Sequence, residues 1–260
     1  MARDQSRGSG NSSYLSPAHP RVFAHRGLAV DAPENTMLAF AKAVAAGAQY
    51  IETDVHVSLD GVAVVAHDPG LARVAGRDIK VNQLTMAELR RIELGDGQGF
   101  CSLADALDGF PETRFNVDVK ITGAVLPAAR AIREIRAVDR VLVTSFDEAR
   151  RAAAVEQLPG IASSASARRF LMALISAKAG ISPATKRALS GLVAIQVPEK
   201  ALGLRVTTQR MISRVHDLGL EMHVWTINEP QRMSHLLDLG VDGIVTDRAD
   251  LALEVVKSRA

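Results

Sequence analysis

Residues 50–57 read Tyr50-Ile51-Glu52-Thr53-Asp54-Val55-His56-Val57, and the fold of the chain is decided here. Side chains alternate across a strand, so residues of one parity share a face. The odd positions, Ile51, Thr53, Val55 and Val57, suit packing beneath helices, whereas the even positions carry Glu52, Asp54 and His56. Residues 114–120 repeat the arrangement, with Phe115, Val117 and Val119 on one face and Asn116, Asp118 and Lys120 on the other. Two otherwise apolar strands thus aim acids at the side away from the helices, which in a barrel is the axis.

The surrounding chain supplies that barrel. Short β-branched runs at 22–25, 50–57, 114–120, 141–146, 161–166, 192–197, 222–227 and 243–247 alternate with amphipathic segments at 36–46, 124–136, 147–158, 209–218 and 230–239. Gly47, Gly219 and Gly240 stand where three of these helices should stop. Repeated strand–helix alternation implies parallel strands joined by helical crossovers. A further run at 62–66 follows Asp60-Gly61, a turn signal, and reads as a hairpin extending the second strand. Eight barrel strands remain, the number of a (β/α)8 TIM barrel, which commonly takes about 250 residues. The competing open, doubly wound sheet calls for a glycine-rich loop after its first strand, and His25-Arg26-Gly27 is not one. Residues 78–110, with a short helix at 86–92 and the loop Gly95-Asp96-Gly97-Gln98-Gly99, read as a small excursion on the rim. The stretch 166–191 reads as a second rim loop, with its apolar segment 170–175 packed on the core or rim.

Composition narrows the function classes. The 260 residues are 47% hydrophobic and 23% charged, which suits a globular protein with an ample core. A net charge of +2 without a basic stripe argues against nucleic acid as a partner. No apolar run approaches the ~18 residues of a membrane span. Residues 1–20, MARDQSRGSGNSSYLSPAHP, are polar and read as a flexible tail ahead of a single domain over 21–260. The tail lacks the apolar core of a secretory signal, so a cytoplasmic location is expected. The one cysteine, Cys101, excludes an intrachain disulfide and reads as a semi-buried thiol without a role. Nothing in the sequence sets the oligomeric state.

Carboxylates on a barrel axis need positive partners. A salt bridge to Lys120 or nearby arginines would account for one. Three acids from neighbouring strands favour a hard cation, and all-oxygen ligands select Mg2+ or Ca2+ over zinc. His25 ends the first strand and His67 closes the hairpin, so the two can hold a base and an acid together near neutral pH. His19 lies in the tail, His216 and His235 fall on helices, and His56 and His223 are rim positions with no task.

Several of these residues lie in blocks that match a known family. Val22-Phe23-Ala24-His25-Arg26-Gly27, Pro33-Glu34-Asn35-Thr36, Ile51-Glu52-Thr53-Asp54-Val55 and His67-Asp68 resemble the glycerophosphodiester phosphodiesterases in order and spacing. The likeness continues through Asn116-Val117-Asp118-Val119-Lys120, Ser145-Phe146, Val224-Trp225-Thr226-Ile227-Asn228 and Gly243-Ile244-Val245-Thr246-Asp247. The resemblance implies a (β/α)8 enzyme that hydrolyses small-molecule glycerophosphodiesters to glycerol 3-phosphate and an alcohol with a divalent cation. By position, Glu52, Asp54 and Asp118 would be metal ligands and His25 and His67 the acid–base pair. Arg26 would touch phosphate, Lys120 would stand beside the site, and Trp225 would line the glycerol pocket. The family most often carries Glu where this chain has Asp118, a side chain one methylene shorter. Asn35 is placed to cap the helix that follows, with Glu34 in support. Two other readings stand beside this one. A metal-independent phosphoinositide-type lyase also pairs histidines on a barrel but replaces the ion with arginine, and a phosphodiester-binding barrel could lack turnover altogether.

Overall fold

A computed structural model of the chain describes residues 13–16 and 18–259. Its framework is eight parallel strands: β1 (Arg21–His25), β2 (Tyr50–Val57), β3 (Arg114–Val119), β4 (Val141–Thr144), β5 (Ala162–Ser163), β6 (Ala194–Pro198), β7 (Glu221–Trp225) and β8 (Gly243–Thr246). They are ordered β5-β4-β3-β2-β1-β8-β7-β6. A parallel bridge between Ser164 and Ala194 joins the two edges, and Val193 N donates to Ser163 O at 3.0 Å. The ring is the expected (β/α)8 barrel, with helices such as Met37–Ala45, Val125–Glu134 and Pro230–Asp238 in the crossovers. Ala63–Val65 pairs antiparallel with β2, Val55 opposite Val65, as the turn at Asp60-Gly61 requires.

Strand parity sorts the core as the sequence implies. Ile51, Val55, Val117 and Val119 face outward into the layer beneath the helices and are fully buried. Inside the barrel, Phe23, Tyr50, Leu142, Ala162 and Val245 form a separate cluster. The rim excursion begins earlier than residue 78: it takes in the short helix Ala72–Ala75 and shares with the hairpin a small core of Val64, Leu71, Val81, Met86, Leu89, Ile92 and Phe100. The reading of 166–191 as a rim loop needs correction: it holds two helices, Ala167–Lys178 and Ser182–Leu189. Ser166 caps the first by accepting from Arg169 N, Pro183 opens the second, and Ser176 and Thr185 hydroxyls join them at 2.9 Å.

The flexible tail expected over 1–20 falls largely on residues outside the described ones, 1–12 among them. Ser13–Leu15, however, forms a 3-10 turn that closes the lower end of the barrel. Tyr14 and Leu15 are buried against Phe23 and Tyr50. Their carbonyls accept from the Tyr50 hydroxyl and from Arg21 Nη2.

That closed end contains an ion pair. Arg21 holds Glu221 through Nε and Nη2, both at 2.7 Å, and donates to the Tyr50 hydroxyl at 2.9 Å. His223 Nε2 lies 3.0 Å from Glu221 Oε2 and its Nδ1 faces Gln196. His223 is therefore a fully buried interior residue and not a rim residue. A Cβ on Gly243 would stand 2.8 Å from the His223 ring and 2.9 Å from Phe23, so only glycine fits there.

Burial would raise the Glu221 carboxyl, but Arg21 and His223 outweigh it and hold it at about 2. A carboxylate depressed on folding contributes stability above its unfolded value, and that contribution is lost as pH falls through the folded value. Removing one partner of a buried pair costs about 3–5 kcal/mol. Glu221→Gln is therefore expected to destabilise by about that amount at neutral pH. The penalty should shrink between about pH 4.5 and pH 2 as the wild type loses its own advantage, measured by urea unfolding across that range.

Candidate active site

The ionisable residues singled out in the sequence gather at the carboxyl ends of the strands, where barrels of this kind carry their chemistry. β1 ends in His25, and the chain then turns through Arg26 (φ 57°) and Gly27 (φ 86°). A Cβ on Gly27 would lie 2.7 Å from the Ala39 carbonyl carbon, so the turn is open only to glycine. It carries the Arg26 guanidinium back over the mouth, with Nη1 3.0 Å from Glu34 Oε1 and Nε 3.3 Å from Asp54 Oδ2.

β2 and β3 pair in a register that sets Asp54 directly beside Asp118 and Glu52 beside Asn116. Lys120, just beyond β3, reaches both acids: its Nζ lies 2.7 Å from Asp54 Oδ1 and 2.8 Å from Asp118 Oδ2. Burial opposes the Lys120 charge, but the two carboxylates overcome it and raise its pKa. Burial and the charge of Asp54 push Glu52 up to about 8, with His25 pulling the other way. Asp118 is also raised by burial, against the pull of Lys120. Glu52 Oε2 and Asp118 Oδ1 are buried without a hydrogen-bond partner. Burial thus disfavours the charged forms of Glu52 and Asp118 despite the cations around them. Among the described residues, no three His, Cys, Asp or Glu side chains are already spread around one ion position. The Lys120 ammonium lies between two of the three acids.

His25 is braced from β8. Its Nδ1 lies 2.6 Å from Asp247 Oδ1, whose other oxygen accepts from Asn228 Nδ2 at 2.8 Å. This leaves Nε2 facing the acids, 3.8 Å from Glu52 Oε2. Burial disfavours the imidazolium, but Asp247 and Glu52 outweigh it and raise the His25 pKa. His67 is braced in the same manner, with Nδ1 2.7 Å from Asp68 Oδ1. It joins the cluster through Asp68, Arg73, Glu34 and Arg26, each paired with the next. His56, read as a rim residue, is buried, and its Nε2 meets the His67 carbonyl at 3.1 Å.

On the far side of the mouth, Trp225 ends β7 and meets Phe146 edge-on with ring centroids 6.0 Å apart. Phe146 in turn stands 5.9 Å from Lys120 Nζ. A cavity of about 210 Å³ opens beside His67, walled by Glu34, Val65, Asp68, Val74 and Phe100.

Asn35 does not cap the following helix. Thr36 does, accepting from Ala39 N, while Asn35 adopts φ 57° and donates from Nδ2 to Asp54 Oδ2 at 3.2 Å. Its Oδ1 accepts from Thr53 Oγ1, so Asn35 positions an acid of the site. Cys101 is buried beneath Asn35, and burial pushes its thiol up to about 12, in keeping with a packing role. Three braces escaped sequence reasoning. Asp247 shares parity with Gly243 and Val245, and Asp68 adjoins His67, so both carried a signal. Arg73 carried none.

The sequence profile of the glycerophosphoryl diester phosphodiesterase family matches residues 25–251. Probable glycerophosphodiester phosphodiesterase 2 of Mycobacterium tuberculosis is 39% identical over 92% of this chain and 91% of its own length. The glycerophosphodiester phosphodiesterase of Thermotoga maritima superposes with a TM-score of 0.71 at 26% identity, covering 92% of this chain and 99% of that one. A phosphodiesterase of Oleispira antarctica, solved with the product sn-glycerol-3-phosphate, shares the fold at a TM-score of 0.77 and 20% identity, over 92% and 97% of the two chains. This chain belongs to the glycerophosphoryl diester phosphodiesterase family, enzymes that hydrolyse glycerophosphodiesters.

Lys120 is the nearest cation to two buried acids, and stripping a buried charge of its partner costs about 3–5 kcal/mol. Lys120→Met is expected to lower the unfolding free energy by about that amount in metal-free buffer, read by urea denaturation. An unchanged midpoint would mean that Asp54 and Asp118 do not need it.

Proposed function

We propose that residues 21–260 form one catalytic unit that cleaves glycerophosphodiesters to glycerol 3-phosphate and an alcohol, using a divalent cation and two histidines. The observation that carries this reading is the gathering of Glu52, Asp54 and Asp118 around partnerless carboxylate oxygens beside a braced His25. An all-oxygen donor set suits a hard cation, Mg2+ or Ca2+. Bound by these three acids, it would supply Lewis-acid neutralisation of the phosphodiester's charge.

The chain's own residues supply the remaining chemistry. Arg26, held over the mouth by Glu34, binds a non-bridging phosphate oxygen, and Lys120 adds positive charge beside it. Asp247 and Asp68 each fix an imidazole through Nδ1, which presents the Nε2 of His25 and of His67 to the substrate. One histidine removes the proton of the attacking hydroxyl and the other protonates the departing alkoxide, each transfer worth about 10²–10⁴-fold in rate. Trp225 and Phe146 provide an apolar wall for the glycerol backbone. The cavity beside His67 lies on the opposite side, where the alcohol would leave.

A second reading has one observation in its favour. Lys120 already bridges Asp54 and Asp118, so a fixed ammonium could stand where the metal-independent phosphoinositide-type lyases have arginine in place of an ion. Exhaustive chelation separates the two. EDTA is expected to abolish release of glycerol 3-phosphate from glycerophosphocholine, and Mg2+ or Ca2+ to restore it; undiminished turnover would transfer the assignment to the lyase reading. His25→Ala and His67→Ala are each expected to lower kcat by about 10²-fold or more with the fold retained by circular dichroism. Full activity in either variant would remove that histidine from the mechanism.

A further inference from the structure

Arg73 is half exposed on the short helix Ala72–Ala75 of the rim excursion, outside the barrel. Its guanidinium nevertheless joins two carboxylates that come from different parts of the chain. Nε pairs with Asp68 Oδ2, and Nη2 donates to Glu34 Oε1 at 2.6 Å. Each carboxylate has a second partner at the mouth: Asp68 holds His67 Nδ1 at 2.7 Å, and Glu34 holds Arg26 Nη1 at 3.0 Å. The planar fork of arginine presents donors along two edges, which a lysine ammonium cannot do.

The backbone beneath Arg73 is well fixed. Leu71 is fully buried in the core that the excursion shares with the hairpin, and its N–H donates to the Ile79 carbonyl at 2.9 Å. Ala75 N–H returns to the Leu71 carbonyl at 2.8 Å. The excursion therefore offers the guanidinium from a rigid base.

We infer that Arg73 is a positioning residue that orients two groups at once, His67 through Asp68 and Arg26 through Glu34, and so couples proton transfer to phosphate binding. This rests on the roles proposed above for His67 and Arg26. Small errors in the placement of reacting groups can cost about 10²-fold in rate, so a clamp on both arms affects both kinetic constants. Asp68 transmits the effect on kcat, and Glu34 transmits the effect on KM.

The test is steady-state hydrolysis of glycerophosphocholine by Arg73→Ala, Arg73→Lys, Arg73→Gln, Asp68→Asn, Glu34→Gln and the Arg73→Ala/Asp68→Asn double variant. His67→Ala and Arg26→Ala serve as references. Arg73→Ala is expected to lower kcat by about tenfold or more and to raise KM severalfold. Asp68→Asn should act mainly on kcat and Glu34→Gln mainly on KM. Because Arg73 and Asp68 act as one unit, the double variant should have a kcat within about threefold of Arg73→Ala alone. Arg73→Lys keeps the charge without the fork and should fall between wild type and Arg73→Gln; these two bulky variants carry the test if Arg73→Ala fails to fold.

Kinetic constants for Arg73→Ala within about twofold of wild type would overturn the proposal. So would a change in only one constant, equal activity of the Lys and Gln variants, or effects of Arg73→Ala and Asp68→Asn that simply multiply. If His67→Ala and Arg26→Ala retain full turnover, the roles of those two groups fall and the clamp falls with them. If they lose turnover while Arg73→Ala keeps it, only the clamp falls.

Discussion

Asp54 is 1% exposed and lies in register with Asp118 on the neighbouring strand, with Glu52 one interior position below. Three carboxylates in so little volume repel one another and lose most of their hydration, a combination that proteins sustain only with compensating positive charge. Much of the upper barrel serves this need. Lys120 emerges one residue beyond β3 to reach both aspartates, and the left-handed turn at Arg26-Gly27 returns a guanidinium over Asp54. Asn35, in the same backbone region, adds an amide donor to Asp54. Even so, burial and the neighbouring Asp54 raise the Glu52 carboxyl to about 8, against the pull of His25.

The two ends of the barrel divide the work, and single strands show the division. β7 carries Glu221, His223 and Trp225 on its interior face: an ion pair at the bottom, a fully buried imidazole in the middle and an aromatic ring at the mouth. The lower end is closed, with Tyr14 and Leu15 packed under Phe23 and Tyr50, and its Arg21–Glu221 pair is satisfied on several sides. The upper end retains the unpaired oxygens. A well-packed lower half allows the upper half to keep charge in an arrangement that folding alone would not favour.

Much of this was legible in the sequence, for physical reasons. Period-two alternation exposed Glu52, Asp54 and Asp118 as misplaced acids, because an apolar partner face leaves polar residues only one other direction. The strand–helix rhythm exposed the barrel. Other features were hidden by competing local readings. Asn35 precedes a helix and looks like its cap, but Thr36 takes that place and frees Asn35 to bond Asp54. The apolar run at 170–175 lacks a clear helical period, which concealed the helix Ala167–Lys178. Tyr14 and Leu15 sit at the end of a polar stretch, and their burial depends on a barrel floor that only the folded chain provides. Arg73 meets Glu34 across 39 residues, a pairing that no local pattern encodes.

The proposed sharing of one ion by the three axial acids is open to a direct test by diffraction. A crystal grown with Ca2+ and glycerol 3-phosphate should show one calcium, with oxygens of Glu52, Asp54 and Asp118 at about 2.3–2.6 Å and a phosphate oxygen in the same coordination sphere. The Lys120 ammonium should then have moved from between Asp54 and Asp118. Phosphate bound at the barrel mouth with Lys120 still bridging those two carboxylates, and no calcium density beside them at saturating Ca2+, would mean that the three acids do not share an ion.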